Sequence, residues 1–196
     1  MQLFGENAMA PNHWHLAMKL PVPMSGIDIM ALVEGLKTIV QEDYLEYRIN
    51  QVQRFGQAML DRNIPIINPV GGHAIYLDIN KFFAGTKMKP EDFGGIALTA
   101  LLLSFYGHRA CELGYFAFGS YDKKTKKEIH PDVNFVRFAV PRLRYEDQDL
   151  SACAEAVKSL YDNRDLIPKI EVTYGRDLTL RHFKAKFAFK RDQPPV

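Results

Sequence analysis

Arg137 is the residue whose chemistry is hardest to dismiss. In Val133-Asn134-Phe135-Val136-Arg137-Phe138-Ala139-Val140 it interrupts a run that otherwise reads as a strand. Alternation puts it on one face with Val133, Phe135 and Ala139. A guanidinium keeps its charge away from water and presents a planar fork that matches a carboxylate, so on an apolar face it needs an acidic partner. Two partners would serve: a protein acid, for which Glu112 on the preceding strand is the obvious choice, or the carboxylate of a ligand. Pattern alone leaves both open.

Other candidate groups carry weaker chemistry. Gly71-Gly72-His73 reads as a plain turn with a surface histidine, ahead of a close backbone approach to a ligand with a histidine at its rim. His182 stands between Arg181 and Phe183 in an alternating tail, where an edge-strand residue is favoured over a proton carrier. His108, Cys111 and Glu112 lack the paired spacing of a metal site, so Cys111 and Cys153 are expected as two buried free thiols in a reducing compartment. The pair His13 and His15 around Trp14 has no third ligand near it and reads as surface. Lys123, Lys124, Lys126 and Lys127 form the only basic run. With turn residues around it and no aromatic platform, a solvated hairpin or loop is expected, not a phosphate-binding patch. Neither phosphate-loop pattern, G-x-G-x-x-G or G-x-x-x-x-G-K-[ST], occurs.

The elements that must hold these residues belong to a chain of 196 residues, 47% hydrophobic and 24% charged, ample for a core without disulfides or metal. With 25 basic and 23 acidic residues, the net charge of +2 gives no pull toward nucleic acid or membrane. No signal-peptide pattern and no apolar run of spanning length is present, so the cytoplasm is the expected compartment. Residues 1–23 carry Pro11, Pro21 and Pro23 and no sustained period; they read as an irregular lead-in, and residues 191–196 as a tail.

From Ser25, a helix cap, Met30, Val33, Leu36 and Val40 recur at helical spacing, and Leu45, Ile49, Val52, Phe55 and Met59 form a second stripe. Both stripes are expected to face a core. Residues 65–69 and 73–78 read as strand, glycine turn, strand. Pro90, Glu91 and Asp92 start a third helix that is apolar almost all round and stops at Gly107. Residues 109–115 and 133–140 form a long antiparallel pair, 147–163 a fourth helix, and 170–174 and 180–187 the closing extended stretches. Helices beside short, hairpin-like strands make the expected fold class α+β, with a mostly antiparallel small sheet.

Four segments together carry a resemblance. Asn68-Pro69-Val70-Gly71-Gly72-His73-Ala74-Ile75-Tyr76-Leu77-Asp78, Arg109-Ala110-Cys111-Glu112-Leu113-Gly114, Val136-Arg137-Phe138-Ala139-Val140-Pro141-Arg142 and Leu180-Arg181-His182-Phe183-Lys184-Ala185-Lys186-Phe187 resemble consecutive blocks of the tryptophanase and tyrosine phenol-lyase family. Residues 44–59, with their Tyr-Leu-x-Tyr-Arg-Ile-x-Gln-Val core, are similar too. The resemblance covers residues 24–187.

It implies the C-terminal small domain, residues 24–190, of a pyridoxal-phosphate enzyme with the aspartate aminotransferase-like, fold type I architecture. The implied reaction is β-elimination from tryptophan or tyrosine, leaving pyruvate and ammonia. Arg137 falls on the family's arginine for the substrate α-carboxylate. Tyrosine phenol-lyases carry arginine at the position of Leu113 and phenylalanine at that of His182, so the resemblance leans to tryptophanase, with Leu113, His182 and Phe183 lining the aromatic side-chain pocket. The family's Schiff-base lysine and phosphate-binding residues lie upstream of Met24, and Lys19 has no Ser-Gly-Lys context. This chain therefore carries no catalytic lysine, and pyridoxal phosphate is implied only by the family. Ile27 replaces a family arginine, Phe93-Gly94-Gly95 stands for Phe-Pro-Ala and Tyr174-Gly175 departs from Tyr-Glu-Pro.

The expected function is thus the substrate-binding portion of a tryptophanase-like lyase, inactive alone. The alternatives are a non-catalytic interaction module, pairing with a full-length or separately encoded lyase domain or with its own copies, and a carboxylate binder built on Arg137. An interaction module would expose a broad apolar surface, expected around residues 93–106.

Overall fold

The computed structural model describes residues 25–190. The lead-in with its histidine pair and Lys19, and the tail, lie outside the described residues. The chain divides into two compact units between Tyr47 and Arg48.

In the first unit, helix α1 (Gly26–Thr38) begins where the Ser25 side chain accepts a hydrogen bond from the Asp28 amide at 3.2 Å. Helix α2 (Glu42–Leu60) follows. The expected core-facing stripe of α1 is a correction: no residue of this helix is buried, and Met30, Val33, Leu36 and the following Val40 are all exposed. Periodicity reports that a face seeks cover; it does not say what supplies it.

The second unit holds one apolar core. Val52, Phe55 and Met59 of α2 enter it, whereas Leu45 and Ile49, earlier in the same stripe, are exposed. Strand β1 (Ala74–Asp78) leads into the single-turn helix α3 (Ile79–Phe82), whose N-terminus is capped by the Asp78 carboxylate. Residues 65–69 do not form a full strand. Ile66 bridges Leu77, and the Ile67 amide donates to Tyr76 O, but Pro65 and Pro69 have no donors to extend the ladder.

A 3-10 turn (Pro90–Asp92) opens helix α4 (Gly94–Tyr106), closed by Gly107 at φ 73°. This helix is buried over most of its length, with Ala97, Leu98 and Leu102 fully enclosed; only its last turn, with Phe105 and Tyr106, is open. The apolar surface expected around residues 93–106 is therefore mostly interior.

Strands β2 (Cys111–Leu113) and β5 (Phe135–Ala139) pair antiparallel as expected, and β1 joins the other edge of β5, giving the order β1-β5-β2. Between them β3 (Ser120–Asp122) and β4 (Lys127–Ile129) form a separate hairpin that exposes all four lysines of the basic run. Helix α5 (Asp147–Asp162) packs on α4 and buries Leu150, Ala154 and Val157. The chain closes with β6 (Ile170–Tyr174), the short helix α6 (Arg181–Lys184) and β7 (Lys186–Phe189), β6 and β7 pairing antiparallel.

Residues 180–187 thus depart from the expected extended stretch. Leu180 takes left-handed backbone at φ 56°, and the buried Arg181 anchors a helical turn in which His182 is no edge-strand residue. The mixed helix and antiparallel-sheet content matches the α+β class. No helix among the described residues is long and apolar enough to cross a membrane.

Candidate functional site

Register decides which side chains share a face. In the central sheet Arg137 stands between Tyr76 on β1 and Cys111 on β2, while Phe135 stands between Asp78 and Leu113. Cross-strand partners project to one side of a sheet. Tyr76, Cys111, Leu113, Phe135 and Arg137 therefore share its outer face. The inner face, formed by Ile75, Leu77, Val136 and Phe138, is the buried one.

This corrects two expectations. Arg137 lies on the half-exposed face, because Val136, Phe138 and Val140 take the core; apolar residues at both parities of 133–140 hid that choice. Glu112 is not its partner. It aligns with Val136 on the inner side, where its carboxylate accepts the amides of Phe116 at 3.1 Å and Ala117 at 2.9 Å. Burial pushes the Glu112 carboxyl above its usual range, with these amides and the Arg181 charge pulling against it.

Among the described residues Arg137 has no partner. Its Nε is shielded from solvent and makes no hydrogen bond, and no ion pair among the described residues reaches its guanidinium. A shielded donor with nothing to donate to is uncommon and costly unless a ligand satisfies it. Around it the face is largely aromatic. The Tyr76 ring meets Phe135 edge-on with centroids 6.3 Å apart, and its hydroxyl lies 3.5 Å from His73 Nε2. His73 thus borders the arginine's face through Tyr76. Tyr76 was not singled out from sequence, since its alignment with Arg137 depends on strand register.

The structure brings Arg137 and Leu113 onto one face and holds His182 and Phe183 on a different element. Their rings lie against one another, centroids 4.0 Å apart, and Phe183 is 78% exposed. No hydrogen bond, ion pair or ring contact among the described residues joins them to Arg137 or Leu113. Partial burial, and then the charge of Arg181, hold the His182 pKa below its ordinary value. The shift favours the neutral ring over the charged one.

Arg181 is the second residue missed from sequence. It is buried, donates from Nε to Phe116 O at 3.0 Å, pairs with Glu128 and lies over the Phe116 ring. Its neighbours are all protein groups, so its work is structural. A cavity of about 110 Å³ lined by Asn80, Lys89, Glu112, Tyr115 and Asn134 contains none of the four expected site residues. Cys153 is buried as expected, but Cys111 is exposed, because it stands on the outer face. Among the described residues no group of three or more His, Cys, Asp or Glu side chains could hold a metal ion.

Fold and face together define a mixed α+β module that presents, beside aromatic and apolar side chains, an arginine without a partner among the described residues. No family model matches the chain. Comparison with curated proteins does give matches. It is 37% identical over 164 residues to a tyrosine phenol-lyase of Nostoc punctiforme, covering 84% of this chain and 34% of that protein. It is 36% identical over 163 residues to a probable tryptophanase of Halobacterium salinarum, covering 83% and 34%, and 34% identical over 166 residues to a tyrosine phenol-lyase of Clostridium tetani, covering 85% and 35%. The chain belongs to the tyrosine phenol-lyase and tryptophanase family and corresponds to the C-terminal part of its members. It spans about a third of the length of these relatives.

Proposed function

We propose that this chain is the substrate-carboxylate-binding portion of a pyridoxal-phosphate-dependent aromatic amino acid β-eliminating lyase of the tryptophanase type, taking L-tryptophan to indole, pyruvate and ammonia. The small domain of a fold type I enzyme is the architecture this implies. The observation that carries the proposal is the half-buried Arg137, without a partner among the described residues, on a face shared with Tyr76, Phe135 and Leu113.

Pyridoxal phosphate, when bound to a complete enzyme, supplies the electron sink for such an elimination. The residues of this chain bind and orient. The Arg137 fork fixes both oxygens of an α-carboxylate, which sets the direction of the Cα–H bond. Leu113 offers an apolar wall that suits an indole better than a phenol, whose oxygen would ask for a donor or cation. His182, with its lowered pKa, and Phe183 would serve the leaving group once their element is brought to the same pocket. The described residues furnish no lysine on the arginine's face, so the chain alone is expected to bind without catalysing.

Calorimetric titration of the 196-residue chain tests this. L-Tryptophan is expected to bind, tryptamine, which lacks the carboxylate, to bind at least about tenfold more weakly, and Arg137→Lys to erase the difference. Equal binding of the two ligands by the unsubstituted chain would overturn the clamp. Indole release by the purified chain with added pyridoxal phosphate would overturn the claim that it binds without catalysing.

A further inference from the structure

The cavity of about 110 Å³ at the start of α4 has no part in the carboxylate clamp, yet acceptors and donors meet in it. The acceptors are Glu112 and Asn134. They crowd residue 114 so closely that a Cβ there would collide with Asn134 Oδ1 and lie 3.0 Å from Glu112 Oε1, which is room only a glycine leaves. Asn134 is 7% exposed, and its Nδ2 donates to Asn80 Oδ1 at 2.8 Å, an oxygen that also receives the Tyr115 hydroxyl at 3.1 Å. That network fixes which end of the Asn134 amide donates. Its Oδ1 is left to accept, and among the described residues no group donates to it.

The donors come from α4 and the turn before it. The helix begins after Phe93 without a side-chain cap, so the first-turn amides of Gly94 and Gly95, both of which line the cavity, await an acceptor at the positive end of the helix dipole. Lys89 also lines it, is exposed, and pairs with no carboxylate among the described residues. A Cβ on Gly95 would lie 3.1 Å from Glu112 Cγ, so both sets are within reach of one small molecule. Phe83 and Phe93 supply apolar walls. Since a cavity of about 150 Å³ takes up benzene, this smaller one admits about five or six heavy atoms.

We propose that this cavity binds a small α-amino acid, glycine or alanine in size, as its zwitterion. The ammonium donates to Glu112 and to Asn134 Oδ1, and the carboxylate accepts from the Gly94 and Gly95 amides and from Lys89. A bare cation would meet the helix end and Lys89 unopposed, and a bare anion would meet Glu112. A ligand with both charges leaves neither end opposed. Arg181, whose charge also reaches Glu112, is held by Glu128. An ammonium here also offsets the burial that raises the Glu112 carboxyl. None of these residues lies on the Arg137 face, so the site does not depend on the clamp.

Amide-resolved NMR titration of the isotope-labelled full chain tests the proposal. L-Alanine is expected to shift the amides of Gly94, Gly95 and Asn134. Ethylammonium and propionate, which each keep one of its two charged groups, are expected to bind at least about tenfold more weakly. Lys89→Met should weaken alanine by at least about fivefold. Glu112→Gln, with circular dichroism unchanged, should abolish the advantage of alanine over propionate. Glu112 also holds the Phe116 and Ala117 amides, so its variant can lose the fold; Lys89 is exposed and unpaired, and its variant then decides alone. Arg137→Met should leave the alanine shifts unchanged, which separates this site from the clamp. Unmoved Gly94 and Gly95 amides would overturn the proposal. So would propionate or ethylammonium binding as well as alanine, alanine binding indifferent to Lys89→Met, or alanine shifts that vanish with Arg137→Met.

Discussion

Arg181 and Glu128 form an ion pair at 2.8 Å in which both side chains are only 5% exposed. Removing one member leaves the other charge stranded in a medium that solvates it poorly. Arg176 lies 3.6 Å from the same carboxylate and cannot replace the bonds that Arg181 also makes to Phe116 O and Tyr115 O. Arg181→Met is therefore expected to cost about 3–5 kcal/mol in urea unfolding. Arg181→Met combined with Glu128→Gln should cost less than the sum of the single changes. Strict additivity would show that the pair is not coupled.

Arg137 should behave in the opposite way. It makes no hydrogen bond or ion pair to protein among the described residues, so Arg137→Met removes charge without stranding a partner. The unfolding free energy is expected to move by no more than about 0.5 kcal/mol, while carboxylate binding is lost. A loss of several kcal/mol would make Arg137 a structural residue like Arg181.

Much of this architecture could be read from local signals. Pro90, Glu91 and Asp92 mark the entry to α4 and Gly107 its end, because a proline fits the first turn and a left-handed closing residue favours glycine. The face of Arg137 was less legible. Residues 133–140 are apolar at both parities, so alternation named its companions without saying which side met the core. The fate of Arg181 was hidden for another reason: its partners Glu128, Tyr115 and Phe116 are more than fifty residues away in sequence. The helix α1 was legible from its spacing, but the core its stripe was expected to face is not supplied by the described residues.

The two cysteines should differ sharply in reactivity. Cys153 is buried, and burial pushes its thiol up to about 12, which suppresses the reactive thiolate at neutral pH. Cys111 is exposed on the outer face, in register with Arg137. Alkylation of the native chain followed by peptide mass spectrometry is expected to modify Cys111 alone, with Cys153 reacting only after denaturation. A bulky adduct on Cys111 should also weaken tryptophan binding, since it would stand beside the proposed clamp. Modification that leaves binding unchanged would remove Cys111 from that pocket.

Asp92 gives the fold an acid-sensitive clasp. Its buried carboxylate receives Lys190 and Lys169, which flank the β6 to β7 hairpin, and it also accepts the Lys89 amide. Burial alone would raise its pKa, but the Lys190 hydrogen bond, the Lys89 amide and Lys169 together outweigh it and hold the group below the ordinary value. A carboxylate whose pKa falls on folding stabilises the native state above its unfolded pKa of about 3.9, and that stabilisation disappears as pH drops through the lower folded value. Asp92→Asn should therefore cost about 1–3 kcal/mol near neutrality and flatten the loss of stability as the pH falls below about 4. Urea unfolding across that range, with hydrogen exchange followed on residues 170–190, checks both parts. An unchanged acid limb in the variant would mean that other carboxylates govern it, and protection lost evenly across the chain would deny that the clasp acts on the hairpin.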